Sequence, residues 1–512
     1  MYPGTWAKKR PDHPAYVFAG SGETVTYRGL DEMSNRIAQW LRSIGLQTGD
    51  HVALIMENHP RFLQVCWAAQ RSGLYYTPVN WHLTPAEMGY IVGDCGARVV
   101  FTTTARLAAV EQLRDDLAPG CRVVVVDDER SFEETLAGMP TTPVPDETEG
   151  VDMIYSSGTT GRPKGGTRAL SGVPMERDAD PVISGFAGLY QMDESSVYLT
   201  PGAPLYHAAP LRFSMAVNRI GGTNVILEQF DAEGALRAVA EHGVTHSQWV
   251  PTMFVRMLRL PEEVRSRYDL GSHRLAIHAA APCSKPVKQA MFDWWGPILH
   301  EYYGASEGGV QTYIGPEDWL AHPGSVGKAL FGSIHIVDDA TGEELPPGES
   351  GVIWFDGGSP IKYHNDETKT AKAYDSRGRT TVGDMGYLDD DGYLYLTDRL
   401  DNMIIAGGVN IYPQEVEDVL LEHPAVADVA VFGVPHEELG EQVKAVVQPL
   451  DGVATGPELA DELLAFCRER LASYKCPRSV DFEDQLPRSA AGKLYKRLVR
   501  DRYWQGRESS IV

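Results

Sequence analysis

The sequence predicts an α/β protein: a large N-terminal domain of two α/β-layered subdomains plus a small β-barrel, followed by a small α+β C-terminal domain. Three observations predict it. Strands alternate with amphipathic helices over the first third of the chain and again after a glycine-rich stretch, which implies parallel sheets with covered faces. From about Gly327 the helices give way to short strands and turns. Beyond Asp401 helix and strand patterns return in a smaller unit. The expected boundaries are therefore 1–400, with the β-barrel part at about 327–400, and 401–512. A chain of 512 residues is too long for one hydrophobic core, so two or three units are expected.

Taken in order, VTYRGLDEMSNRIAQWLRSIG reads as a short strand and an amphipathic helix. Leu30, Met33, Ile37, Leu41 and Ile44 recur at helical spacing, and Gly45 ends the run. HVALIME is a buried strand, RFLQVCWAAQRSG a helix, YYTPVN a strand, TPAEMGYIVGDCG a helix, and RVVFTT and CRVVVVDD two more strands. TNVILEQF, DAEGALRAVAEHG, VTHSQWVPT and RLAIHAAAP continue as strand, helix, strand, strand. GKALFGSIHIVDDATGEELPPGESGVIWFDG is short strands and turns, and YLDDDGYLYLTDR is a hairpin. The last unit holds helices at PQEVEDVLLEHP and GPELADELLAFCRERLASY, with strands VADVAVFGV and QVKAVVQPL between them. No internal repeat of 20–50 residues is visible.

Composition narrows the function classes. With 46 Lys and Arg against 70 Asp and Glu the net charge is −24, which argues against a nucleic-acid partner. It leaves room for small anionic ligands held by local backbone amides and a few cations. The six cysteines, Cys66, Cys95, Cys121, Cys283, Cys467 and Cys476, form no C-x-x-C pair, which reads as a reduced compartment without structural zinc. MYPGTWAKKRPDHP lacks the apolar core of a secretory signal. No run approaches the roughly 18 apolar residues of a spanning helix. A cytoplasmic protein without a transmembrane segment is expected, with peripheral membrane contact and a homodimer left open.

The densest chemistry lies in YSSGTTGRPKGG, residues 155–166. Ser156, Ser157, Thr159 and Thr160 supply hydroxyls. Gly158, Gly161 and Gly165 let backbone amides converge, and Arg162 and Lys164 add positive charge. VDMIY precedes as a strand, so the loop sits at a strand end, where α/β folds bind ligands. It is not the G-x-x-x-x-G-K-[ST] loop of NTPases: Pro163 holds the second glycine's place and Gly165 follows Lys164. Pro163 also has no amide to donate.

This stretch resembles the phosphate loop of the adenylate-forming superfamily, which includes acyl- and aryl-CoA synthetases, luciferases and peptide-synthetase adenylation domains. The other family motifs follow in order from about Thr26 to Lys493, nearly the whole chain, and the resemblance is closest to AMP-forming acyl-CoA ligases. It implies that Ser156, Ser157, Gly158, Thr159, Thr160, Gly161 and Lys164 grip ATP. HEYYGASEGG is similar to the family's Y-G-x-T-E motif, which implies that Tyr303 stacks on adenine, Gly304 and Ser306 border the nucleotide, and Glu307 helps hold Mg²⁺. Ser306 keeps the hydroxyl of the motif's threonine and loses its methyl. HAAAPCS matches a G-G-A-P adenine turn, with Ala279 and Ala280 where glycines are usual, followed by Ala281 and Pro282. PLYHAAP resembles the family's aromatic–histidine motif, which implies that His207 would lie at the carboxylate end of the acyl pocket, near the α-phosphate and the path of the thiol, as a catalytic residue. Trp249, Tyr302, Gly304 and Gly308 would border that pocket with it.

In TTVGDMGYLDDDGYLYLTDRLDNMI the resemblance gives Asp384 the two ribose hydroxyls, a task suited to two acceptor oxygens. Arg399 would reach ribose or phosphate, and Asp401 is the hinge of a mobile C-terminal domain. Gly407 and Gly408 would line the CoA tunnel. LPRSAAGKLYKR matches the segment with the family's catalytic lysine, which implies that the point charge of Lys493 would bridge the carboxylate and the α-phosphate. Tyr474, Lys475 and Arg478 would meet the anionic end of CoA. FGVPHEELGE, also similar to a family motif, reads as a structural turn.

The implied reaction joins a carboxylic acid to CoA at the expense of MgATP, through acyl-AMP and pyrophosphate. PLYHAAPLRF offers no aspartate for a substrate amine, which argues against an α-amino acid and leaves an apolar acid: fatty, aromatic, or an alicyclic or steroid side chain. An amide synthetase or an acyl-AMP donor to a carrier protein would share nearly every motif. A distant alternative comes from G-A-S-E-G, residues 304–308, which also fits the G-x-S-x-G elbow of a serine hydrolase using Ser306. The elbow needs a helix after the serine, and GGVQTYIGPEDW is a poor helix start.

Overall fold

The computed structural model describes residues 2–156, 163–176, 181–308, 311–358, 360–399, 402–406, 409–436, 439–488 and 494–504. Two layered sheets form the bulk of the molecule. The first has five parallel strands, in the order Arg122–Val125, Val99–Thr102, His51–Ile55, Tyr75–Pro78 and Val151–Asp152. The run HVALI is buried along four of its five residues, as a central strand covered on both faces requires. Helix Pro60–Arg71 covers one face, entered through a proline at its first turn. Helix Pro85–Asp94 begins with a full capping box between Thr84 and Glu87.

The second sheet has nine strands. Its order is Lys328–Ala329, Gln311–Ile314, Leu299–Gly304, Leu275–His278, His246–Trp249, Val197–Thr200, Thr223–Ile226, Pro14–Phe18 and Thr24–Thr26. The five strands from Leu299–Gly304 to Thr223–Ile226 are parallel, and an antiparallel pair closes one end. The N-terminal hairpin joins the other end, with Tyr16 opposite Asn224. The strand before helix Tyr27–Ser43 thus belongs to the second sheet, while the helix itself packs on Pro60–Arg71 beside the first. Leu30, Ile37 and Leu41 of that helix are buried, with Met33 and Ile44 packed against the same core.

The β-rich segment is a four-stranded antiparallel sheet, ordered Ile334–Val337, Gly351–Phe355, Asp384–Leu388 and Leu394–Arg399. The C-terminal part has its own sheet, with Gly440–Pro449 at its centre between Val426–His436 and a parallel Ser479–Phe482. The turn expected at FGVPHEELGE joins the first two of these strands, with His436 opposite Gly440. Helices Pro413–Leu421 and Pro457–Arg470 bury Val416, Leu420, Leu463 and Cys467 on this sheet in a core of their own. All six cysteines are free thiols. Among the described residues no helix is long and apolar enough to cross a membrane.

One glycine sets the path into the site. Gly202 follows strand Val197–Thr200 with φ +75°, and a Cβ there would lie 2.1 Å from the backbone nitrogen of Phe230. The neighbour is backbone and cannot rotate away. Gly202→Ala is expected to lower stability by more than about 2 kcal/mol, through strain and displaced chain, in urea unfolding.

Candidate active site

The sheets meet around one cavity of about 2430 Å³. Ser156, Lys164, His207, Trp249, Ala279, Ala280, Ala281, Tyr302, Tyr303, Gly304, Ser306, Glu307, Gly308 and Asp384 all line it. Residues up to 228 positions apart in sequence therefore share one wall. Ser157, Gly158, Thr159, Thr160, Gly161, Asp401, Gly407, Gly408 and Lys493 lie outside the described residues.

The phosphate-loop motif is anchored at both ends. Ile154–Ser156 and Lys164–Gly166 pair as a two-stranded antiparallel ribbon, Ser156 opposite Lys164. The Ser156 hydroxyl donates to Glu307 Oε1 at 2.6 Å, tying the ribbon to the Y-G-x-T-E-like turn. A Cβ on Gly166 would stand 3.0 Å from Glu307 Cα, so any larger residue would make the two segments give by a few tenths of an ångström. On its other side the ribbon bonds to residues 362–364, through Thr167 N to Lys362 O and His364 N to Gly165 O. The Lys164 ammonium lies 2.9 Å from Asp366 Oδ2, and that hydrogen bond raises its pKa.

Behind the ribbon stands an ion-paired cluster that sequence reasoning missed. Asp152 ends the five-stranded sheet and is buried. Its Oδ1 accepts from Arg168 at 2.6 Å, and its Oδ2 from Arg212 Nη2 at 2.7 Å and Nε at 3.0 Å. Burial alone would push this carboxyl up. The guanidiniums of Arg212 and Arg168 outweigh burial and hold it below the usual carboxylate range. Arg212 Nη2 also donates to the Ser306 carbonyl at 3.1 Å. A sequence signal existed: Arg212 and Arg219 are spaced by seven on the apolar helix Ala208–Ile220, and both line the cavity. Arg219 pairs with Glu149.

At the adenine end the Tyr303 hydroxyl donates to Asp384 Oδ2 at 2.6 Å. Arg399 pairs with Asp384 in strand register. Ala280, where a glycine is usual, adopts φ +74°, a left-handed conformation that its Cβ disfavours. His207 occupies the N-cap position of helix Ala208–Ile220 without a side-chain capping bond, its ring 4.6 Å from that of Tyr206. Burial, and then the neighbouring Tyr495, raise the Tyr206 phenol, so the segment following Lys493 approaches the His207 end. Trp249 is 1% exposed and packs on Phe254 and Trp295, so it belongs to the core behind the wall as much as to the wall.

Ser306 lies between strands Leu299–Gly304 and Gln311–Ile314, which pair antiparallel with Gly304 opposite Gln311. A strand follows it, not the helix that a nucleophile elbow requires. The hydrolase alternative is thereby corrected.

The comparisons with known proteins agree with this geometry. The model of AMP-binding enzymes matches residues 4–362, and that of the AMP-binding enzyme C-terminal domain matches residues 415–493. The chain belongs to the AMP-binding enzyme family. It is 34% identical to a feruloyl-CoA synthase of Amycolatopsis over 98% of this chain and 99% of that protein. It is 30% identical to a long-chain-fatty-acid–CoA ligase of Mycobacterium tuberculosis over 96% of each. The crystal structure of ATP-bound MatB from Rhodopseudomonas palustris superposes with TM-score 0.84 at 28% identity, over 99% of both chains.

Two outcomes are expected of this family member's site. Asp152→Asn should cost about 2–3 kcal/mol at pH 7, because it strands two guanidiniums that are partly screened by solvent. The folded pKa is depressed, so the wild-type advantage is complete above the unfolded carboxylate value of about 3.9 and closes as pH falls through the folded value. Urea titrations of both proteins across pH measure it. Ala280→Gly should raise stability by up to about 1 kcal/mol in thermal melts, by relieving the left-handed alanine.

Proposed function

We propose that this cavity activates a carboxylic acid as its adenylate and passes the acyl group to a thiol: the protein is an AMP-forming acyl- or aryl-CoA ligase. One observation carries the reading. The phosphate-loop ribbon, the Ser306–Glu307 turn, Tyr303, Asp384 and His207 come from separate segments and line one cavity.

In the first half-reaction a carboxylate oxygen attacks the α-phosphorus of ATP. The new acyl–O–P bond forms as the bond to the β-phosphate breaks, and pyrophosphate leaves. Tyr303 would stack on adenine, Asp384 would take the ribose hydroxyls, and Ser306 would donate to the α-phosphate. The ribbon strands Ile154–Ser156 and Lys164–Gly166, with Ser156 opposite Lys164, would hold the β- and γ-phosphates. Glu307 fits Mg²⁺, since this ion takes one or two carboxylates plus substrate phosphates and needs no larger protein cluster. Bound there, the ion would spread charge on the departing pyrophosphate. Lys493 would supply the cation between carboxylate and α-phosphate as negative charge moves.

In the second half-reaction the CoA thiol gives up its proton to solvent and its sulfur attacks the acyl carbon; the C–S bond forms as the acyl C–O bond to AMP breaks, and AMP leaves. The C-terminal unit, 401–512, would turn about Asp401 and exchange the Lys493 face for the Gly407–Gly408 loop. Tyr495 and Lys496 line the cavity beside the His207 end, which supports reading this arrangement as the one for adenylation.

The half-reactions separate in one experiment. Lys493→Ala is expected to cut pyrophosphate release by at least about 100-fold and to keep most thioester formation from supplied acyl-adenylate. Equal loss in both would overturn the two-face assignment. With the wild type, ATP, an acid and either CoA or an amine, mass spectrometry should find the thioester. An amide, or adenylate that CoA leaves intact, would move the acceptor to an amine or a carrier protein.

A further inference from the structure

Asp94 ends helix Pro85–Asp94 and stands outside the cavity lining. Its carboxylate Oδ2 accepts the Tyr155 hydroxyl at 2.6 Å. Its carbonyl accepts from His364 Nε2 at 3.1 Å and from Asn365 Nδ2 at 3.2 Å. A carbonyl in the last turn of a helix has no partner within the helix, so it is open to side chains from elsewhere. One residue thereby takes bonds from two segments, 61 and 270 positions away.

Both segments hold the phosphate ribbon. Tyr155 lies opposite Gly165 in the ribbon's register, and a Cβ on Gly165 would stand 2.9 Å from the Tyr155 ring. The ring therefore lies against its partner strand while its hydroxyl reaches Asp94, so one side chain ties both strands to the helix. From the other side, His364 N donates to Gly165 O at 2.8 Å and Thr167 N donates to Lys362 O at 2.9 Å. Asp366 pairs with Lys164. Asn365 takes φ +52°, a left-handed turn position that asparagine tolerates. The helix itself is fixed. A capping box closes its start, and Met88, Ile91 and Val92 are buried in the core with Ala53, Ile55 and Val100 of the first sheet. An isolated pair of strands is marginally stable, so the ribbon's position has to come from what it is tied to.

We propose that Asp94 is a positioning residue for the nucleotide: through Tyr155 on one side and the 364–365 turn on the other, it sets where Ser156 and Lys164 meet the β- and γ-phosphates. The inference rests on the reading of the ribbon as the grip on those phosphates, and it adds the residue that places the grip. A displacement of about 1 Å is enough to spoil such contacts. AMP lacks both phosphates, so its binding should not sense the change.

Titration calorimetry with MgATP and with AMP tests this. In Asp94→Ala and in Tyr155→Phe the Kd for MgATP is expected to rise about tenfold or more, as for the loss of a hydrogen bond to a charged group. The Kd for AMP should stay within about twofold of the wild type. Asp94→Asn keeps an oxygen that accepts from the phenol, so its Kd for MgATP should lie within about threefold of the wild type. The double variant Asp94→Ala, Tyr155→Phe should bind MgATP little more weakly than either single one, because both remove the same bond. Melting curves confirm the fold of each. MgATP affinity unchanged in both single variants would overturn the proposal. So would ATP and AMP affinities that fall together, or losses that multiply in the double variant. A wild type that binds AMP as tightly as MgATP would overturn it as well, by removing the grip. The titrations need no turnover, so a failure of the ligase reading would show in pyrophosphate release and thioester formation and not here.

Discussion

The site depends on one buried charge. Asp152 sits at the edge of the five-stranded sheet, Arg212 on a helix of the nine-stranded one, and Arg168 just past the phosphate ribbon. A single carboxylate with two oxygens therefore joins three elements that no backbone ladder connects. Arg212 extends the link to the Ser306 carbonyl. A salt bridge buried this far is not in itself strongly stabilising, because desolvation offsets most of the attraction. What it supplies is position. Each guanidinium is planar and directional, so the sheets can meet only where the forks find both oxygens.

That fixed frame lets weaker, exchangeable contacts surround the nucleotide. Ser156 holds Glu307, Lys164 holds Asp366, and Tyr303 holds Asp384. Each pair joins a residue expected on ATP to a group that can release it. A serine hydroxyl leaves a carboxylate for a cation at little cost. The lysine is partly exposed, where ion pairs are worth little, so a polyphosphate can draw it from Asp366. These side chains are thus kept near their proposed duties by partners of the same chemistry as the ligand: carboxylate for phosphate, phenol for ribose.

Much of this was legible in the sequence, for identifiable reasons. Helices such as Tyr27–Ser43 declared themselves by the spacing of Leu30, Ile37 and Leu41, since their burial is a local pattern. The motif residues declared themselves because glycine, hydroxyl and charge at fixed spacing are rare together. Periodicity does not say which sheet a strand joins, and the hairpin Pro14–Thr26 went to the second sheet through pairing 208 residues away. Arg212 and Asp152 were missed for the same reason. Each looks ordinary beside its neighbours, and only their meeting across 60 positions makes the cluster. Ala280 went the other way: the departure from glycine was visible, while its cost, a left-handed alanine, needed the backbone.

The placement of the phosphate ribbon follows from the division of labour in the proposed reaction. The α-phosphate, where bonds change, needs donors held to a fraction of an ångström, and Ser306 has them through the Arg212 tether and the sheet beneath it. The β- and γ-phosphates must be gripped and then released. The two-stranded ribbon suits that task, since separate contacts to Glu307, to residues 362–364 and to Asp366 hold it rather than a broad sheet. Placing the grip on the ribbon and the chemistry on the nine-stranded sheet separates a part that has to let go from a part that must not move.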